Sequence, residues 1–171
     1  QSYVLSFLFQ FDDPEDTYYF AYSYPYTYTD LQRYLYDLDQ RNMSFYSREL
    51  LCRTVQHRRL DLLTITDNTT SSSKKKKIIF ITARVHPGET PAQYICQGII
   101  DLLVSDTAEA KVLREHLVFK IIPMLNPDGV FLGNYRCSYT GYDLNRCWTE
   151  PSEWCHPGII GAKKKILEYY K

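Results

Sequence analysis

Apolar and polar side chains alternate through residues 1–24: Tyr3, Leu5, Phe7, Phe9 and Phe11, then Tyr18, Phe20 and Tyr22. A period of two puts them on one face of an extended chain. Asp12-Asp13-Pro14-Glu15-Asp16 lies between the two runs and has the composition of a turn. The pattern predicts a β-hairpin or two sheet strands. Thr29-Asp30 then opens a helix over 31–40, with Leu31, Tyr34, Leu35 and Leu38 on one face. Residues 60–66 read as a strand. Residues 68–77 read as a polar loop ending in four lysines. A solvated surface explains such a run, and a patch for an acidic partner is the sharper alternative.

The run IIFITARV over 78–85 is short and continuous, as in a strand buried on both faces. His86-Pro87-Gly88-Glu89 follows it. Thr90 then suits an N-cap, Pro91 the first helical position and Gln93 a capping box. The helix runs to about Val104 and buries Ile95, Ile99, Leu102 and Leu103. Residues 117–124 form another apolar strand, and Asn126-Pro127-Asp128-Gly129 is a turn signal. Residues 133–158 are rich in loop formers, and a last helix begins near Ile159. Strands alternating with helices imply an α/β sheet.

Composition narrows the classes. Lys plus Arg and Asp plus Glu each total 20. That balance argues against a surface built for nucleic acid or an anionic membrane. No apolar run approaches the roughly 18 residues of a spanning helix. The chain opens on Gln1, with no charged segment leading into an apolar one, and it reads as an excerpt of a longer protein. The five cysteines form no CxxC pair. They read as reduced thiols of a cytoplasmic protein.

Two groups of residues carry chemistry. His86 and Glu89 are three apart, where a buried strand hands over to a helix. Zinc binds imidazole nitrogen and carboxylate oxygen at about 2.0–2.2 Å, and Gly88 gives the backbone freedom to turn between them. The spacing alone occurs often by chance. The strand before it and the capped helix after it put it at the carboxyl end of a strand, where α/β sheets place ligands. The second group is Tyr142-Asp143-Leu144-Asn145-Arg146, with Arg136 upstream. A guanidinium grips a carboxylate through two parallel hydrogen bonds, and an adjacent Asn adds a donor. Asp143 could accept the free N–H of a metal-bound imidazole. His57, His116 and His156 are further metal donors to consider. Cys147, Cys155 and His156 lack the paired spacing of a separate zinc site.

HPGE after IIFITARV, LNPDGVFLGNYRCSY, and GYDLNRCW together resemble the zinc metallocarboxypeptidases. Within that family the chain resembles the cytosolic carboxypeptidases that trim glutamates from tubulin. FAYSYPYTYTDLQRYL and RRLDLLTIT carry the same resemblance, which covers nearly the whole chain.

The resemblance implies a partial metallocarboxypeptidase-type mixed sheet with flanking helices. Residues 1–22 would be the last strands of a β-sandwich domain, and residues 23–171 the first part of the catalytic domain. It implies Zn2+ held by His86 and Glu89. Arg136 would polarise the scissile carbonyl, and Asn145 and Arg146 would hold the substrate's terminal carboxylate. Asp143 would support the zinc histidine. The family's third ligand, a His, and its catalytic Glu lie beyond these residues, so the fragment should be inactive alone. Substrates would be glutamate-tailed or polyglutamylated proteins such as tubulin, in the cytoplasm or near microtubules, centrioles or cilia. A catalytically silent module that binds acidic tails is the alternative. An intact Asn145-Arg146 clamp disfavours a deacylase of related fold.

Overall fold

The computed structural model describes residues 4–67 and 76–170. Residues 68–75 of the loop predicted over 68–77, including Lys74 and Lys75, lie outside them, and Lys77 already belongs to a strand. Helix α1 (Tyr28–Gln40) leads into strands β1 (Tyr46–Arg53) and β2 (Arg59–Ile65), then strand β3 (Lys77–Thr82). Helices α2 (Thr90–Val104) and α3 (Ala108–His116) follow, then strand β4 (Leu117–Ile122) and helices α4 (Pro127–Leu132) and α5 (Pro157–Tyr170).

The sheet is mixed, as expected, and its order is β1-β2-β4-β3. β1 and β4 each run antiparallel to β2, while β3 and β4 are parallel and joined through α2 and α3. The two central strands explain their own composition. In β2, Leu63 and Ile65 join a core with α1 and α2, while Leu60 and Leu62 join a second core with α5. In β4, Phe119 and Ile121 face the first core and Ile122 the second. A strand covered on both faces has no solvent side to alternate toward.

Helix α1 begins one turn earlier than its apolar stripe. Thr27 is the N-cap, and with Asp30 it forms a reciprocal capping box. Leu31, Leu35 and Leu38 are its buried face. A buried polar knot ties α1 to the sheet: Asp61 accepts from Arg48, Arg59 and Gln32.

Four expectations need correction. Residues 4–27 carry no strand. Phe9, Phe11, Tyr18 and Phe20 meet as edge-on ring pairs across a turn at Asp13–Asp16, but without a backbone ladder between them. In α2 the buried stripe is Gln93, Cys96, Ile100, Leu103 and Val104. Ile95 is 65% exposed and Leu102 is exposed, so the stripe is turned from the one expected. The helix is apolar on two stripes, and the second flanks a groove along β3, an outer strand of the described sheet. Asn126-Pro127-Asp128-Gly129 starts a helix rather than a plain turn, with Asn126 as N-cap accepting from Gly129 N. Lys76, the first described lysine of the basic run, is not a free surface charge. Its ammonium donates to Thr66 Oγ1, the Asp67 carbonyl and the Arg114 carbonyl.

The α2 register gives a direct test. Ile100 is 1% exposed. Ile100→Ala should cost about 2–5 kcal/mol of unfolding free energy. Ile95→Ala should stay within about 0.5 kcal/mol, as surface changes do. Urea unfolding of both variants checks this, and the reverse ranking would contradict the observed stripe. Burial also pushes the Cys96 thiol up to about 12 and that of Cys52 to about 11. Thiolate is the reactive form. Maleimide at neutral pH should therefore label Cys137 and Cys155 before Cys52 and Cys96, as read by mass spectrometry.

Candidate active site

The first two donors sit where β3 leaves the sheet. Past Thr82, Ala83 N donates to the Ile122 carbonyl and Leu125 N to the Ala83 carbonyl, so β3 and β4 leave the sheet together. Asn126 Nδ2 then holds the Val85 carbonyl at 3.2 Å. A tight turn follows, closed by Glu89 N donating to His86 O and Thr90 N to Gly88 O. Glu89, not Thr90, is the N-cap of α2, and its side chain makes no capping bond. The carboxylate is thereby left to face His86: His86 Nδ1 lies 3.0 Å from Glu89 Oε1.

Gly88 is required for more than the turn. Its N–H donates to the Tyr135 carbonyl at 2.7 Å, and a Cβ there would fall 2.6 Å from that same oxygen. Gly129 is equally confined, since a Cβ would fall 2.5 Å from Pro87 Cγ and 2.8 Å from the Cys137 carbonyl. These contacts press residues 135–137 against the HPGE turn and bring Arg136 beside it. The left-handed Gly141 (φ 83°) reverses the chain, and Ser138 N donates to Tyr142 O across that reversal.

The reversal delivers Asp143, which joins the two groups of residues. Its Oδ1 lies 2.9 Å from His86 Nε2 and accepts the Asn145 N–H, also at 2.9 Å. Its Oδ2 accepts Arg136 Nε at 2.9 Å and Nη2 at 2.8 Å. Burial pushes the Asp143 carboxyl up. The contacts with His86, the Asn145 N–H and Arg136 outweigh it and hold the group below the ordinary carboxylate range. Asn145 and Arg146 follow in a short 3-10 turn and are exposed. Trp148 Nε1 donates to Asn145 Oδ1 at 3.2 Å, which leaves the amide's NH2 side as the donor.

The donor set fits a cation. Both ring nitrogens of His86 face carboxylate oxygens, yet a neutral imidazole carries one proton. With Nε2–H given to Asp143, the Nδ1 lone pair meets Glu89, and a cation shared by Nδ1 and the carboxylate satisfies both. A carboxylate behind a metal-bound imidazole is the usual supporting arrangement. No third donor joins them: among the described residues no group of three His, Cys, Asp or Glu side chains is placed to hold a metal.

The remaining histidines are elsewhere. His57 is exposed in a left-handed turn, and His116 is exposed at the end of α3. His156 is buried, but its Nδ1 accepts from Ser152 N and its Nε2 faces Cys147 Sγ at 3.5 Å. Burial pushes the imidazole down and the Cys147 thiol up, so the contact is between neutral groups.

A zinc carboxypeptidase family model matches residues 31–170. The chain belongs to the zinc carboxypeptidase family. Mouse cytosolic carboxypeptidase 6 is 59% identical over 99% of this chain, which covers 32% of the mouse protein. The Caenorhabditis elegans cytosolic carboxypeptidase 6 is 52% identical over 98% of this chain, which covers 36% of that protein. The chain thus spans about a third of the length of these relatives. A metallo-carboxypeptidase from Burkholderia cenocepacia superposes with a TM-score of 0.77 at 32% identity, over 84% of this chain and 38% of that one. A metallo-carboxypeptidase from Pseudomonas aeruginosa, solved with (2-guanidinoethylmercapto)succinic acid, gives a TM-score of 0.74 at 28% identity, over 85% and 37%. The metallocarboxypeptidase fold expected from the sequence is thereby shown.

Sequence reading named His86, Glu89, Arg136, Asp143, Asn145 and Arg146, and the structure brings the first four into one connected cluster. It missed the Gly88–Tyr135 contact, Asn126 and Trp148, although HPGE and NPDG carry glycines whose need for space was a usable signal. In this zinc carboxypeptidase chain, Gly88→Ala should cost about 1–3 kcal/mol by overpacking against Tyr135. Chemical denaturation measures that, and an unchanged midpoint would contradict the contact.

Proposed function

We propose that this chain carries the first half of a zinc carboxypeptidase active site that removes glutamates from the C-termini or side-chain branches of proteins such as tubulin. The observation that carries this reading is Asp143, whose two oxygens hold the imidazole of His86 and the guanidinium of Arg136 at once. A metal ligand and an oxyanion donor fixed by one carboxylate serve a reaction in which negative charge grows on a carbonyl beside a metal. The glutamate preference and the tubulin partner rest on the sequence resemblance to the cytosolic carboxypeptidases. That resemblance also supports a place in the cytoplasm, near microtubules, centrioles or cilia. Among the described residues no helix is long and apolar enough to cross a membrane.

His86 Nδ1 and Glu89 would hold Zn2+, which when bound supplies Lewis acidity and an activated water. The chain's own residues do the rest. Asp143 fixes the His86 tautomer, so that Nδ1 presents its lone pair. It also occupies Nε and one Nη of Arg136, which aims the remaining N–H groups as a preorganised donor for the oxyanion. Losing one such donor costs about 10²–10³ in rate. Asn145 and Arg146 grip a free terminal carboxylate, which restricts cleavage to chain ends. The third ligand and the proton-accepting glutamate would come from outside the described residues.

A zinc titration and an assay on a glutamate-tailed peptide test this. The chain by itself should bind zinc weakly and release no glutamate, and turnover by these residues would refute the division of the site. His86→Ala should abolish the weak zinc binding. Arg146→Ala should leave it intact and instead weaken binding of a peptide with a free terminal carboxylate. Equal zinc loss in both variants would refute the assigned roles.

A further inference from the structure

Arg84 is a costly residue in an unexplained place. It lies between the end of β3 and His86, is 5% exposed, and adopts the left-handed backbone at φ 54°. A non-glycine pays sterically for that conformation, and such outliers gather where a site needs a particular backbone path. Its guanidinium is buried, and each partner is a neutral oxygen. Nε donates to the Pro87 carbonyl at 2.7 Å, Nη2 to Thr90 Oγ1 at 3.1 Å and Nη1 to the Tyr26 carbonyl at 3.4 Å. Neutral acceptors alone compensate a buried charge poorly.

Those three acceptors lie on three pieces of chain: the segment entering α1, the HPGE turn, and the first residue of α2. The turn between Arg84 and Thr90 carries both proposed metal donors. We propose that Arg84 is the positioning residue of the metal site, clamping the HPGE turn so that His86 Nδ1 and Glu89 converge. This rests on the metal reading given above. The contact also explains why Thr90 fails as an N-cap: its hydroxyl is committed to Arg84, and Glu89 takes the cap position with its carboxylate turned to His86. A lysine cannot replace this clamp, because a single ammonium does not reproduce a planar fork spanning separate acceptors.

The test compares Arg84→Lys and Thr90→Val in the 171-residue chain. Each variant is measured for Co2+ affinity by chelator competition, for thermal unfolding, and for the His86 imidazole Nε2–H signal by NMR without metal. Removing a residue that supports a ligand typically costs 10–100-fold in metal affinity, so Arg84→Lys should lose about ten-fold. Thr90→Val, which removes one acceptor, should lose less. In both, the Nε2–H signal should broaden or vanish as the turn loosens. Parent-like affinity and an unchanged Nε2–H signal in both variants would overturn the proposal. If Arg84→Lys fails to fold, Thr90→Val decides alone by the same readings. If Co2+ leaves His86 unperturbed in the parent chain, the metal reading fails, and the clamp is judged by the metal-free signal. Loss of that signal in Thr90→Val supports the clamp, and its retention refutes it.

Discussion

A single carboxylate organises this molecule's chemistry. Asp143 receives a ring nitrogen from the strand exit, a guanidinium from the segment after α4 and a backbone N–H from its own turn. Those groups come from positions 86, 136 and 145, and short-range preference does not draw them together. The carboxylate stays charged because the donors outweigh the cost of its partial burial. Hydrogen bonds to a charged acceptor are the stronger kind, and leaving such an acceptor unmet is costly. The position of Asp143 therefore fixes where His86 and Arg136 can be.

The fold prepares that meeting through close backbone approach rather than through large side chains. Gly88 lies against the Tyr135 carbonyl and Gly129 against Pro87 and the Cys137 carbonyl, at separations that admit no Cβ. Below them, Asn126 caps α4 and also holds Val85. Asp128 gathers Thr54, Gln56 and Arg58 from the β1–β2 connection. The loops at the carboxyl ends of β3 and β4 are thus linked to one another and to the far hairpin. The sheet supplies the rigid platform, and its two cores supply the stability.

Much of this was legible in the sequence, for physical reasons that differ by element. The strands at 60–66 and 117–124 announced themselves because burial on two faces leaves a continuous apolar run, whereas the apolar run at 78–85 belongs to an outer strand whose residues are half-buried or exposed, not buried as expected. Strand β1 was not seen. It is an outer strand with scattered burial, and YSRELLCR has no period. Helix α3 was not seen because only Ala110 and Arg114 are buried in it, and Arg114 is a cation stacked on Phe45 that reaches the carbonyls of Leu103 and Ser105. Helix α2 was found but its buried stripe was misread, since apolar side chains line two of its faces. His86 and Glu89 were legible from local context. The residue types at 143, 145 and 146 suggested an imidazole acceptor and a carboxylate grip, but the contact between positions 86 and 143 leaves no local trace, and the role expected of Arg136 came from the resemblance alone.

The outer side of β3 is a margin at which the described sheet can be extended. Its backbone groups find no neighbouring strand among the described residues, and Ile79, Ile95 and Leu102 stand exposed around it. Unpaired strand edges bordered by branched apolar side chains recruit other chains into intermolecular ladders. A further strand laid along this margin would satisfy those backbone groups and cover the exposed side chains.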